Sequence, residues 1–330
     1  MIFTFVKKQF GKALLLMLMP LVCNAKLMQS NESMDIKMSL FSENSKIEDV
    51  ISAKAFYDFG RLLFPSNKHY YSGDTLGQLS IVYYSKLSSK VTVEIVNTLY
   101  NQSVKGQTVF YDIYSEEEKR ADPQKRNTGL FFFKGHKHEK FAILNAGGAF
   151  AYVGAMQDSF PHALELSKLG YNAFALIYRP DPQKACEDLS RAINFIFENA
   201  KELEVDTNDY SLRGGSAGAR MVYWVGSYGT ESFSKFKREK PAAIIMQYTG
   251  LSEYTKVTPP TFSCVGDSDY IALWSLMKAR AEAMKSSGID TEFHVYKGLS
   301  HGFGIGSNTI AYGWLNQAVA FWQRHMKERN

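Results

Sequence analysis

Apolar residues along this chain fall into two regimes that meet near residue 107. Before that point, residues 26–48 are polar and read as a tether. Residues 49–64 carry apolar positions at helical spacing, and 76–105 read as mostly helical, broken by polar turns. After it, short apolar runs alternate with longer amphipathic stretches. Runs at 108–114 and 130–133 flank a strongly charged loop, 116–127, and suit a hairpin-like pair of strands. Further strands are expected at 141–144, 173–178, 210–213, 242–246, 261–265 and 292–296. Between them helices are expected at 158–169 (stopped by Gly170), 182–200, from about 219, 272–287 (stopped by Gly288) and 309–327. Short apolar strands alternating with helices predict an α/β fold, a mostly parallel central sheet flanked by helices on both faces. In such sheets ligands gather at the carboxyl ends of the strands.

Composition adds little to that pattern and excludes some classes. The 330 residues are 45% hydrophobic and 22% charged, values of an ordinary globular protein. The net charge of +5 is spread along the chain without a basic, aromatic-interleaved stripe, so nucleic acid is not an expected partner. No cluster of Cys and His has metal-ligand spacing, so no metal is expected.

The first 25 residues stand apart. Lys7, Lys8 and Lys12 precede an apolar run, 13–22, and Cys23-Asn24-Ala25 offers small residues where a signal peptidase reads. The run is short for about 30 Å of hydrocarbon. Residues 1–25 are therefore expected to be a cleaved signal peptide, with cleavage after Ala25, a secreted or periplasmic product and no stable membrane span afterwards. Residues 26–106 then form an N-terminal helical extension that could partly cap the site, and 107–330 form the catalytic domain. Cleavage leaves Cys186 on a helix and Cys264 in a strand, read as buried free thiols.

The candidate chemistry sits at strand ends. Gly214-Gly215-Ser216-Ala217-Gly218 fits G-x-S-x-G, and an apolar strand leads in while a helix leads out. Glycines two before and two after the serine remove collisions in a very tight turn, which lifts the Ser216 hydroxyl above the sheet as a nucleophile. Upstream, Asn145-Ala146-Gly147-Gly148-Ala149-Phe150 follows a strand; adjacent glycines let backbone N–H groups approach a developing oxyanion. Donors are expected from Gly147 and Gly148, with a third from Ala217. Of the seven histidines, His301 follows the 292–296 strand in a loop that can reach over the sheet. His162 is the best rival, and His294 reads as packed within a strand. Between Ser216 and His301 lie Asp267 and Asp269; Asp269 is preferred as the carboxylate that orients His301, and Asp267 as an Asx-type turn residue.

The order Ser216, Asp269, His301 and these motifs resemble the α/β-hydrolase superfamily, in its esterase/lipase branch, similar to hormone-sensitive-lipase-like and acetyl-xylan-esterase-like proteins. The resemblance covers about residues 107–327. It implies an α/β-hydrolase fold, a carboxylic ester as substrate (a short acyl or acetyl ester, small or on a carbohydrate), an acyl-enzyme intermediate, and no cofactor. Where many members carry a histidine before the oxyanion glycines this chain has Ala146, and Ala149 stands for a third glycine, so the loop is expected to be held differently. The rival readings are a serine peptidase of the same fold and a non-catalytic binding protein on that scaffold.

Overall fold

The computed structural model describes residues 41–85 and 87–327. The signal-peptide reading, Cys23 and most of the tether reading lie outside the described residues.

The first described elements are α1 (Ile47–Ile51), the two-stranded pair β1 (Tyr71–Ser72) and β2 (Ser80–Ile81), and α2 (Ser89–Val104). Only α2 is a long helix; the remainder of 49–88 is short 3-10 turns and bends, because Gly60, Pro65 and Gly73 interrupt the apolar spacing. The start of the described chain is docked, not loose. The Phe41 N–H donates to Asn97 Oδ1 and Asn97 Nδ2 donates to the Phe41 carbonyl, both at 2.9 Å.

An eight-stranded sheet follows, built from β3 (Phe110–Tyr111), β4 (Gly129–Phe133), β5 (Glu139–Asn145), β6 (Asn172–Ile177), β7 (Val205–Gly215), β8 (Ala243–Gln247), β9 (Thr261–Gly266) and β10 (Thr291–Tyr296). Its spatial order is β10-β9-β8-β7-β5-β6-β4-β3. All pairings from β6 to β10 are parallel, and β4 pairs antiparallel with both β6 and β3. The intervening helices are α3 (Glu116–Ala121), α4 (Ser159–Lys168), α5 (Pro182–Glu198), α6 (Ala200–Leu203), α7 (Ala217–Tyr228), α8 (Trp274–Ser286) and α9 (Trp314–Arg324). The charged stretch read as a loop contains α3, started by a capping box in which Ser115 and Glu118 satisfy each other's amides. Among the described residues no helix is long and apolar enough to cross a membrane.

Successive strand residues feed opposite faces, as the two-residue period of a strand requires. On one face Ala142, Leu144, Ala175, Ile245 and Phe262 join α4 and α9; on the other Phe141, Ile143, Phe174, Leu212 and Met246 join α5 and α7. This double coverage is why the strands read as unbroken apolar runs. The first core also takes in Val50, Phe56, Leu63, Ile95, Val96 and Leu99, so the segment ahead of the sheet shares the sheet's own core.

Cys264 belongs to the first core and Cys186 to the second. The sheet lies between them, beyond the reach of a disulfide. Burial pushes the Cys186 thiol up to about 12 and the Cys264 thiol well above its ordinary value. Both thiols are expected to resist a colorimetric thiol reagent in the native protein and to react in denaturant; a Cys186–Cys264 crosslinked peptide in a non-reducing digest would contradict this.

Candidate active site

Ser216 sits between the end of β7 and the start of α7 with φ 51° and ψ −117°, a conformation that L-residues rarely adopt. Such strain costs about 1–3 kcal/mol and persists only where the surroundings fix it. Here they do. The Ser216 N–H donates to the Gln247 carbonyl at 3.0 Å, and Thr249 Oγ1 donates to the Ser216 carbonyl at 3.1 Å. The flanking glycines are required by contact: a Cβ on Gly214 would lie 2.4 Å from the Gly218 carbonyl carbon, and one on Gly218 would lie 2.0 Å from the Asn145 carbonyl oxygen. Gly218→Ala is therefore expected to cost at least the ~1–3 kcal/mol of an overpacked core, read as a lowered urea midpoint; an unchanged midpoint would contradict the tight elbow.

His301, in the loop after β10, points Nε2 at Ser216 Oγ, 3.0 Å away, and Nδ1 at Asp269 Oδ2, 2.8 Å away. Asp269 follows β9 and is buried. Its second oxygen accepts from the N–H groups of Ile271 (2.8 Å) and Ala272 (2.7 Å). The carboxylate is thus fixed by its own loop while one oxygen faces the imidazole. The roles of the two aspartates differ from expectation in one respect: the Asx-type turn is made by Asp269, whereas Asp267 Oδ1 accepts from the Gly298 N–H at 2.6 Å and ties the β9 loop to the histidine loop. The edge of the Tyr248 ring packs against His301 with centroids 5.0 Å apart.

The other histidines lie elsewhere. His294 is in β10, stacked on Phe262 and bonded to Glu292. His162 is buried on α4 against Trp314, 3.7 Å from Asp158, and burial lowers its pKa. It lines a small pocket with Asn145, Arg213 and Trp314, distinct from the cavity onto which Ser216 opens.

One of the expected oxyanion donors needs correcting. The Gly147 N–H donates to Asp158 Oδ2 at 2.8 Å, so it is committed to a buried carboxylate and is not free to meet an oxyanion. Gly148, at φ 136°, and Ala217 remain. Ala217 is the first residue of α7, where a backbone N–H has no intrahelical acceptor. Ala149 and Phe150 continue the loop at φ 54° and 57°. Asp158 also accepts from the hydroxyls of Tyr84 (2.9 Å, to Oδ2) and Tyr248 (3.2 Å, to Oδ1). Burial, reinforced by Asp158, holds both phenols far above their ordinary pKa, so both stay protonated donors.

Neither Asp158 nor Tyr248 stands out in the sequence, and Tyr84 reads there only as a core or docking aromatic. Tyr248 had one usable signal, its place immediately after a strand. The cavity above Ser216, about 300 Å³, is lined by Tyr83, Tyr84, Gly148, Ala149, Ile271 and His301, so it is largely apolar with the polar groups converging at the serine.

Several solved structures are similar to this one. The structure is similar to an acetyl ester-xyloside bifunctional hydrolase from Caldicellulosiruptor lactoaceticus, with a TM-score of 0.57 and 22% identity over 65% of this chain and 95% of that one. It is similar to Thermogutta terrifontis esterase 2, with a TM-score of 0.53 and 20% identity over 61% of this chain and 92% of that one. It is also similar to MGS-M1, an α/β hydrolase from a Medee basin deep-sea metagenome library, with a TM-score of 0.51 and 19% identity over 60% and 92% of the two chains. The chain has the α/β-hydrolase fold. Within that fold, the BD-FAE family model matches residues 133–269, from the end of β4 to Asp269. The prolyl oligopeptidase family model matches residues 243–329, which contain Asp269 and His301. No curated protein matches the chain. Ser216, Asp269 and His301 follow β7, β9 and β10 respectively.

Proposed function

We propose that this protein is a serine esterase that hydrolyses short-chain carboxylic esters through an acyl-enzyme on Ser216. The observation that carries the reading is the continuous chain Ser216 Oγ, His301 Nε2, His301 Nδ1, Asp269 Oδ2, with links of 3.0 and 2.8 Å, at the floor of a cavity. As Oγ bonds to the ester carbonyl carbon, His301 takes its proton and Asp269 steadies the imidazolium. The N–H groups of Gly148 and Ala217 receive the negative oxygen. Collapse of that intermediate breaks the bond to the alkoxy oxygen, which leaves as alcohol with the proton from His301. Water then repeats the attack on the acyl group, giving its proton to His301, and the acid leaves as Ser216 is restored.

Pocket size supports a short acyl group, since about 300 Å³ is at the lower end of ligand sites. The lining includes the exposed ring of Tyr83, which suits a flat or cyclic alcohol such as a sugar. The likeness to an acetyl ester-xyloside hydrolase supports the same alcohol. A second reading, cleavage of a peptide amide, draws on the prolyl oligopeptidase match over the segment holding the acid and base.

A panel of nitrophenyl esters of rising acyl length, an acetylated xylan and a proline-containing peptide amide separates these. Acetyl to butyryl esters are expected to give the highest kcat/KM, falling at least tenfold by the octanoyl ester. Turnover of the peptide amide alone would overturn the esterase reading.

A further inference from the structure

The oxyanion loop is held from outside as well as by its own turns, in which the Ala151 and Tyr152 N–H groups donate to the Gly148 carbonyl. Ala149 and Phe150 both hold positive φ, and Ala146, just before the glycines, has no side chain able to hydrogen-bond. Backbone strain of this kind lasts only when neighbours over-determine it. Some come from later in the chain, since the Tyr178 hydroxyl donates to the Ala146 carbonyl and Trp224 stacks on Phe150, and others come from a segment more than sixty residues earlier. Tyr84 donates its hydroxyl at 2.9 Å to the same oxygen of Asp158 that receives the Gly147 N–H at 2.8 Å.

The fit around Tyr84 is close on three sides. A Cβ on Gly147 would lie 2.6 Å from the Tyr84 hydroxyl, and one on Gly154 would lie 2.5 Å from the Tyr84 ring. A Cβ on Gly302, next to His301, would lie 2.3 Å from the Tyr83 carbonyl. The segment is also tied by main-chain groups. The Ser85 N–H donates to the Gly302 carbonyl (3.0 Å), the Ile81 N–H donates to Gln157 Oε1 (3.0 Å), and the Tyr152 hydroxyl donates to the Val82 carbonyl. One short stretch, 81–85, therefore touches the oxyanion loop, the entry to α4 and the histidine loop.

We propose that Tyr84 and Asp158 are a positioning pair that sets the oxyanion loop, making the segment ahead of the sheet a working part of the active site. The pair rests on the esterase reading above for its effect on rate, though not for its effect on the loop. Asp158 draws the Gly147 amide away from the substrate, which turns the next peptide so that the Gly148 N–H is left toward Ser216. Tyr84 shares the same oxygen and fills the space beside the loop. Loss of the phenol hydroxyl leaves that buried oxygen one donor short, and the loop gains room to relax. Asp158 is buried, and Tyr84, which lines the cavity, has its hydroxyl committed to Asp158.

The test compares Tyr84→Phe, Asp158→Ala and Asp158→Asn with the full-length wild-type chain. It reads kcat and KM on a nitrophenyl acetate and amide hydrogen exchange across 146–154 by mass spectrometry. Tyr84→Phe is expected to lower kcat about tenfold with KM within about twofold, and to speed exchange in 146–154 alone. Asp158→Ala should lower kcat about a hundredfold, as a misplaced catalytic group does, and Asp158→Asn, which keeps one acceptor for the Gly147 amide, should recover part of that loss. Tyr84→Phe with wild-type kcat and wild-type exchange in 146–154 would overturn the pair. So would exchange that rises equally throughout the molecule, because a merely structural role predicts that. Faster loop exchange in Tyr84→Phe together with a wild type inert to every ester would sustain the pair and contradict the esterase reading instead.

Discussion

Ser216→Ala is expected to lower kcat on a short acyl ester by about 10⁶-fold, the size of effect seen when a triad nucleophile is removed from a serine hydrolase. Only Oγ is lost. The strained turn is fixed by backbone groups, since its N–H is held by Gln247 and its carbonyl by Thr249, and both remain in the variant. Stability should therefore stay within about 0.5 kcal/mol of wild type. The pairing of lost turnover with an unchanged unfolding midpoint separates a chemical role from a structural one. A variant that keeps a tenth of wild-type activity would remove Ser216 from the mechanism.

The second large effect concerns the acid. Asp269→Asn is expected to lower kcat by about 10⁴-fold, because an amide facing Nδ1 favours the wrong tautomer of His301 and cannot stabilise its charged form. The substitution can keep Oδ1 in place, where it accepts from Ile271 and Ala272, so the loop should hold. Asp267→Asn is the matched control. Its Oδ1 can still accept from Gly298, and it has no contact with His301, so kcat is expected within about twofold of wild type, as for a substitution outside the site. Equal losses in the two variants would mean that the loop, not the carboxylate on His301, is what the reaction needs.

Much of this arrangement was legible in the sequence for a physical reason. Strands covered on both faces are apolar at nearly every position, so β5, β6 and β8 announce themselves as short apolar runs, whereas β10, at the sheet edge, is only half-buried and carries Glu292 and His294. Residues that follow such runs are placed at the carboxyl edge of the sheet, and that rule, with the G-x-S-x-G motif and the chain order, points to Ser216, Asp269 and His301. Boundaries were less legible. β7 begins at Val205, earlier than its main apolar part, because Val205 and Asp206 still pair with Glu139 and Lys140. α9 begins at Trp314 and not at 309, because Gly313 at φ 91° ends a series of turns.

What was not legible depends on contacts between distant residues. The charged stretch 116–127 reads as a loop, but capping by Ser115 starts a helix within it. Gly147 looked like an oxyanion donor because paired glycines expose amides; nothing in its neighbourhood says that a carboxylate eleven residues on captures that amide. Tyr84 is further still, 74 positions from Asp158, in a segment whose helical spacing dissolved into turns. Periodicity reports which face a residue takes and is silent on which buried polar group it meets.

The central claim is that Ser216 is a nucleophile activated by His301. Its most direct measurement is labelling of the native protein by a fluorophosphonate, followed by peptide mapping. The account predicts one adduct, on Ser216, formed at a rate that falls at least a hundredfold in His301→Ala and absent in Ser216→Ala. No adduct on the folded wild-type protein, or an adduct on another residue that persists in Ser216→Ala, would contradict it.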